Sequence, residues 1–204
     1  MKITTHRICS LLAASMLFGG STALAQNLLT NPSFETGDFT GWTVDPFGAG
    51  RTQATTYQGS YCCQGATPPD GTFAAAFGGG GATDGEIAQV FATNVGQTYT
   101  GSLQYAGVGG GDANIVFAIG DANTFAAYAG FPVTLTPSYD GTFQTFNFSF
   151  VATSTSSGVD ILGKNNGGTG ADVMVDNIQI VPEPASLAVL ALGGLGCLVR
   201  RRRV

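Results

Sequence analysis

Thr145-Phe146-Asn147-Phe148-Ser149-Phe150, residues 145–150, alternates an aromatic ring with a small polar side chain over three full repeats. A period of two is the mark of a β-strand with one face in a core and the other in water. Tyr99, Leu103 and Tyr105 repeat the pattern around Gly101. Working outward from these two, turn-rich stretches separate further candidate strands at 52–57, 73–77, 86–92, 114–119, 125–128, 159–162 and 172–180, with the anchoring pair at 99–106 and 142–151. The 31 glycines and 14 phenylalanines suit strands and turns, and 10% charged residues is too few to coat surface helices.

Nine such strands, each with one apolar face and no helix between them, predict an all-β fold, a two-sheet antiparallel jelly-roll sandwich. The glycine-rich stretches 78–81 and 107–111 lack the lysine and helix of a phosphate-binding loop and read as connections. Trp42, at the end of a segment broken by Pro32 and several glycines, reads as core.

The two ends of the chain differ from the body. Lys2 and Arg7 precede an apolar run from Ile8 to Gly20, and Ala23-Leu24-Ala25 has the small-x-small pattern of a cleavage site. Residues 1–25 therefore read as a signal peptide, delivered by the Sec translocon and removed by signal peptidase. At the far end, 181–204 combines Val181-Pro182-Glu183-Pro184, an apolar run at 185–199, and Arg200, Arg201, Arg202 and Arg203. Fifteen uncharged residues make a helix of roughly 22 Å, short for a ~30 Å hydrocarbon core but workable with snorkelling arginines. Basic residues after the span stay cytoplasmic, which places the body, residues 26–180, outside. The two prolines predict an extended, accessible neck before the helix.

With the ends set aside, the body holds two basic residues, Arg51 and Lys164, against twelve acidic ones, a balance near −10. That excludes nucleic acid held through a basic footprint and suits calcium or solubility. The single histidine, His6, lies in the leader, so the body has no imidazole for a Ser-His pair, a zinc site or general-base work. Cys62 and Cys63 are adjacent, a spacing that fits standard disulfide geometry poorly.

The order Pro-Glu-Pro, apolar helix and arginine cluster resembles the PEP-CTERM sorting signal. The resemblance implies a Gram-negative host, handling by an exosortase, transient anchoring in the inner membrane, and release to the cell surface or secreted matrix. A second resemblance spans the body. Asn31-Pro32-Ser33-Phe34-Glu35, Trp42, Ile87-Ala88-Gln89, Gly96-Gln97-Thr98-Tyr99 and Val175-Asp176-Asn177-Ile178 are similar to landmarks of the galactose-binding-like jelly rolls found in carbohydrate-binding modules. It implies a structural Ca²⁺ tying the first strand to the last through Glu35 and Asp176. It also implies that the body binds carbohydrate, here an exopolysaccharide, and is not an enzyme. Thr100-Gly101 departs from that pattern and predicts a locally loosened strand.

Sugar recognition needs a flat aromatic for the apolar pyranose face and polar groups for the hydroxyls. Tyr57, Tyr61, Tyr128 and Tyr139, beside Gln58, Gln64 and Asn123, are the candidates, each open to the plainer reading of a ring at the rim of the core. Two other functions stay open: a structural matrix protein without a specific ligand, and a glycan hydrolase, for which no carboxylate pair stands out by spacing.

Overall fold

The computed structural model describes residues 26–183, apart from 53, 60–64, 79–83, 110, 112 and 165–171. The signal-peptide reading at 1–25, and Pro184, the apolar run 185–199 and Arg200–Arg203, lie outside the described residues, as do Tyr61, Cys62 and Cys63. No helix among the described residues is long and apolar enough to cross a membrane.

The described residues form ten strands: β1 (Thr43–Val44), β2 (Ala54–Gln58), β3 (Phe73–Phe77), β4 (Gly85–Ala92), β5 (Thr98–Val108), β6 (Asn114–Asp121), β7 (Val133–Leu135), β8 (Gln144–Val151), β9 (Ser156–Lys164) and β10 (Asp172–Pro182). They pair antiparallel into two five-stranded sheets, β1-β4-β9-β6-β7 and β2-β3-β10-β5-β8. The core lies between them. Alternation decides which side chains enter it: Ile87 and Phe91 of β4, Ile115, Phe117 and Ile119 of β6, Val159 and Ile161 of β9, and Val173 and Val175 of β10 are all buried. Phe146, Phe148 and Phe150 turn inward from edge strand β8, where Phe150 stacks on Tyr99 at 5.2 Å and Phe117 meets Phe148 at 4.9 Å.

The segment before β1 lies along the last strand. Leu28 N donates to Ile180 O at 2.9 Å, Ile178 N to Pro32 O at 3.1 Å, and the Asn27 amide donates to Ile178 O at 2.7 Å. Trp42 is buried, tilted on Phe34 at 5.6 Å, with Nε1 donating to Asn31 O at 3.1 Å.

Two expectations about strands are corrected. Residues 125–128 form no strand; only Ala127 bridges to Gly120, because the Asp121 carboxylate accepts from Asn123 N at 2.8 Å and Phe125 N bonds back to Asp121 O at 2.8 Å. That closed turn puts Phe125 at φ 58° and postpones the strand to β7. The short β1 follows Trp42, where too few residues alternate to show a period. Gly101 does not loosen β5, which runs unbroken from Thr98 to Val108. β10 is bulged between Asp176 and Gln179, and a Cβ on Gly101 would lie 2.3 Å from Gln179 O. Glycine is what lets the bulged backbone come that close.

β10 continues past Ile180 to Pro182, which pairs with Tyr99; Glu183 N then donates to Thr98 O at 3.0 Å and Gln97 Nε2 to Glu183 O at 3.2 Å. The first part of the expected neck is thus docked on the sheet. A proline at a strand end gives up no ladder donor that a central position would need.

Candidate functional site: a roofed groove on one sheet

The outward face of the β1-β4-β9-β6-β7 sheet carries a groove. Register places Ala88 opposite Asp160 and Val90 opposite Gly158, with Ala118 and Gly120 continuing those rows on β6. A strip of small side chains across three central strands leaves a shallow floor in place of the polar surface that alternation alone predicts. Two loops rise over it. In the loop after β1, Asp45 takes φ 49° and its carboxylate accepts from Ala49 N at 2.8 Å and Gly50 N at 3.0 Å, while Asp45 N donates to Glu86 O at 2.9 Å. This turn carries Phe47. The turn after β6 carries Phe125 and lies so close to its own strand that a Cβ on Gly120 would sit 2.4 Å from Ala126 O.

Phe47 and Phe125, 52% and 74% exposed, meet edge to face with ring centroids 5.4 Å apart. Together with the floor they enclose a cavity of about 330 Å³ lined by apolar atoms and a few polar groups, among them Thr43, Gln89 and Asp160. Gln89 belongs to the core side and is engaged with the main chain of Thr30 at 2.7 and 2.9 Å.

At one end of the floor sits a charge cluster. Glu86 is buried, and Arg51 Nη1 donates to both of its oxygens at 3.1 and 3.0 Å. Asp160 is half-buried, and its carboxyl is pushed up to about 7, first by burial and then by the neighbouring Glu86 carboxylate, with Arg51 pulling the other way. Its Oδ1 atom is buried without a hydrogen-bond partner.

The tyrosines expected to bind sugar are placed elsewhere, and the three described do not come together. Tyr57, half-buried on β2, packs against the small cluster of Ala66, Ala74, Val108 and Met174. Tyr128 is 5% exposed, stacked on Phe150 at 5.4 Å with its hydroxyl 2.7 Å from Ser157 Oγ, so it offers no free face. Tyr139 is half-buried and its hydroxyl donates to Ala113 O. None of them lines the groove.

Glu35 and Asp176, by contrast, converge on one segment. Glu35 Oε1 accepts from Thr72 N at 2.9 Å and Phe73 N at 2.7 Å, while Asp176 Oδ2 accepts from Asp70 N at 3.1 Å. Asp176 has no exposed surface, and its carboxyl is pushed up to about 7 by burial, then by the charges of Asp70 and Glu35. Ser33 Oγ donates to Asp70 Oδ2 at 2.6 Å. Three carboxylates and a hydroxyl are hard-oxygen donors of the kind calcium takes, so the donor chemistry fits. Even so, no group of three or more His, Cys, Asp or Glu among the described residues is arranged to hold a metal ion.

Comparison with known proteins adds two findings. Residues 181–203 match the model of the PEP-CTERM protein-sorting motif. The tail is a PEP-CTERM sorting motif. It implies an exported, cell-surface-directed protein and processing by an exosortase. No curated protein sequence matches the chain. Among solved structures, the chain is similar to TmCBM61 in complex with β-1,4-galactotriose, at TM-score 0.60 and 18% identity over 78% of this chain and 100% of that one. It is also similar to the CBM22-1 xylan-binding domain of Paenibacillus barcinonensis Xyn10C, at TM-score 0.52 and 16% identity over 78% and 95%. Part of the enzymatically active domain of bacteriophage CBA120 tailspike protein 4 is also similar, at TM-score 0.55 and 11% identity, over 76% of this chain but 21% of that one. At these identities the likeness shows the fold: the body that precedes the PEP-CTERM motif is a sandwich resembling carbohydrate-binding-module jelly rolls.

The groove was not apparent from the sequence because its parts are ordinary in isolation. The one available signal was alanine or glycine at alternate positions of three strands, Ala88, Ala118 with Gly120, and Gly158, where a solvated face would carry longer polar side chains.

Proposed function

We propose that this is a non-catalytic, exported carbohydrate-binding protein that holds a matrix exopolysaccharide in the groove roofed by Phe47 and Phe125. The observation that carries the reading is the groove itself. Two exposed rings stand over a floor of small side chains in a cavity of about 330 Å³, within the size range of small-ligand sites, with a carboxylate at its end. Aromatic rings supply the apolar surface on which a pyranose face rests, and the carboxylate takes hydroxyl hydrogen bonds. The solved neighbours, one in complex with galactotriose and one a xylan-binding domain, support the ligand class by analogy of fold. Non-catalysis is supported by Glu86 being committed to Arg51, which leaves Asp160 without a second free carboxylate in the groove.

Export follows Sec translocation, signal peptidase cleavage after residue 25, and transient inner-membrane retention of the PEP-CTERM tail in a Gram-negative cell. A structural Ca²⁺ is held by Glu35 and Asp176, cross-linking the segment before β1 to β10 across Asp70–Phe73. The direct test is titration of the full-length chain in detergent micelles with the host exopolysaccharide. Saturable binding that falls in Phe47→Ala and Phe125→Ala sustains the proposal; no binding, or binding indifferent to both changes, removes it.

The structural-matrix alternative is favoured by β8. This eight-residue edge strand carries neither charge nor proline, the usual protections against pairing with another chain. Concentration-dependent self-association in sedimentation, without glycan binding, would select it.

A further inference from the structure

The body and the PEP-CTERM tail meet without a linker: we propose that, while the tail retains the chain, the sandwich stands on the outer surface of the lipid bilayer, on the end formed by the β4–β5 and β8–β9 turns. The inference rests on the membrane retention put forward above and goes beyond it by naming the surface that meets lipid.

The strand that leads to the tail is held in its sheet to the last described residue. Glu183 N donates to Thr98 O at 3.0 Å and its carbonyl accepts from Gln97 Nε2 at 3.2 Å. Pro184 alone then precedes the apolar run 185–199. Two residue steps span at most about 7 Å, and each headgroup layer is about 5–8 Å thick. Glu183, docked on β5, therefore reaches the headgroup layer and brings the start of β5 with it. An apolar run shorter than the hydrocarbon core draws the neck inward. The beginning of the body leaves at the same end. Leu28 N donates to Ile180 O and Ile178 N to Pro32 O, so residues 28–32 run antiparallel to β10 and the expected cleavage position after residue 25 points back toward Pro182.

The two turns at this end are bonded into one unit. Gly96 N donates to Ala152 O at 2.8 Å, Ala152 N to Gln97 O at 3.0 Å, and Thr93 N to Thr155 O at 3.0 Å. Residues 93–98 and 151–156 carry no charged side chain, and Val95 and Val151 are 64% and 51% exposed. Charge gathers at the opposite end, where Lys164 pairs with Asn114, Asp172 with Val108, and Asp84 and Asp140 precede Gly85 and Gly141. Of the described acids, Glu183 and Asp121 lie at the near end, and the Asp121 carboxylate is engaged by Asn123 N. A body near −10 is repelled by anionic lipid, and this pose keeps most of the charge away from it. Two valines contribute too little to hold a domain on lipid unaided; the tail supplies the high local concentration, so the contact ends when the tail is cut.

The test uses the chain exported in a Gram-negative host without an exosortase, so that the leader is removed and the tail kept. It is purified and reconstituted into phosphatidylcholine vesicles with plain or brominated acyl chains. Val95→Trp and Val151→Trp report on the near end and Thr142→Trp, exposed beside Asp140, on the far end, with buried Trp42 as the shared background. Quenching by brominated lipid is expected to be about twofold or more stronger at 95 and 151 than at 142, the depth an apolar group reaches at the acyl boundary. Melting curves matching the native chain show that the variants are folded. Equal quenching at the three positions overturns the pose while leaving tail retention in place. So does a near end shielded from aqueous iodide yet not quenched by bromine, which would put a second copy there. A chain that does not float with the vesicles overturns retention and the pose together.

Discussion

Raising the pH from 5 to 8 is expected to destabilise the body in the absence of divalent metal, because two carboxyls are pushed up to about 7 in the fold. Asp160 and Asp176 both start from an ordinary value near 3.8. The unfolded chain releases both protons near pH 4, whereas the folded chain keeps them until about 7, so the folded state binds more protons throughout that window. Stability is therefore highest below about pH 4 as far as these two groups are concerned, falls as the pH climbs to 7, and levels off above it. Between pH 5 and 8 each group moves through about two units of differential protonation, worth at most about 2.7 kcal/mol at 1.36 kcal/mol per unit. Solvent reaches part of Asp160, so about half of that is the reasonable share. The pair then costs roughly 2–4 kcal/mol, and at about 2–4 °C per kcal/mol for a domain of this size the Tm falls by roughly 5–15 °C. Among the described residues nothing opposes this in the same window: they include no histidine, and the carboxyls held low by hydrogen bonds, Asp38, Asp45, Asp121 and Asp140, act below about pH 4. The assay is a thermal melt of the full-length chain in EDTA at pH 5, 6, 7 and 8, with Asp160→Asn beside it. The variant should keep only the part of the slope owed to Asp176. A Tm that is flat or rising from pH 5 to 8 in the native chain would refute the reasoning, since it would mean that neither carboxyl is protonated in the folded state.

Millimolar Ca²⁺ is expected to raise the Tm at pH 8 and flatten the pH slope, because a bound cation stabilises the ionised Asp176; identical melts in Ca²⁺ and EDTA would remove the metal from Glu35 and Asp176. Gly71→Ala is expected to cost about 2 kcal/mol or more, since Gly71 has φ 72° and a Cβ there would meet the Glu35 carboxyl carbon at 2.2 Å; chemical denaturation reads it. Phe125→Ala, at a ring 74% exposed, is expected to weaken glycan binding about tenfold while moving the Tm by less than 2 °C, which calorimetry and a melt separate.

The sandwich was legible because β5 and β8 report their own faces. Tyr99, Leu103, Phe146, Phe148 and Phe150 repeat every second residue, and a period of two fixes both the strand and the side that goes inward. The residues around Phe125 read as a strand for a physical reason as well: aromatic and alanine side chains satisfy a strand pattern over four positions, and only the Asp121 main-chain and side-chain bonds, set three or four residues earlier, close the chain into a turn. Resemblance to a fold pairs Glu35 with Asp176 as calcium ligands, whereas their hydrogen bonds to the Asp70–Phe73 segment carry no sequence signal, because nothing local distinguishes an aspartate after two prolines from a turn residue.

The groove follows a different logic from the core: its two exposed rings are phenylalanines, while the described tyrosines beside the loops pack into the fold. A tyrosine beside a loop draws attention because its hydroxyl makes it amphipathic, yet in a sandwich that hydroxyl is also what lets the ring be buried: Tyr128 reaches Ser157 and Tyr139 reaches Ala113, so each satisfies its polar end inside the fold. Phe47 and Phe125 have no polar atom to satisfy. Left outside, they lower their exposed area by meeting each other across the floor, and the two turns that carry them, held by Asp45 and Asp121, fix where they meet. Exposed aromatic surface held by rigid turns over a floor stripped of side chains is a costly arrangement for a fold that could have covered the same sheet with threonine and serine. A ligand that buries those two rings would recover the cost, which is why the groove carries the functional argument.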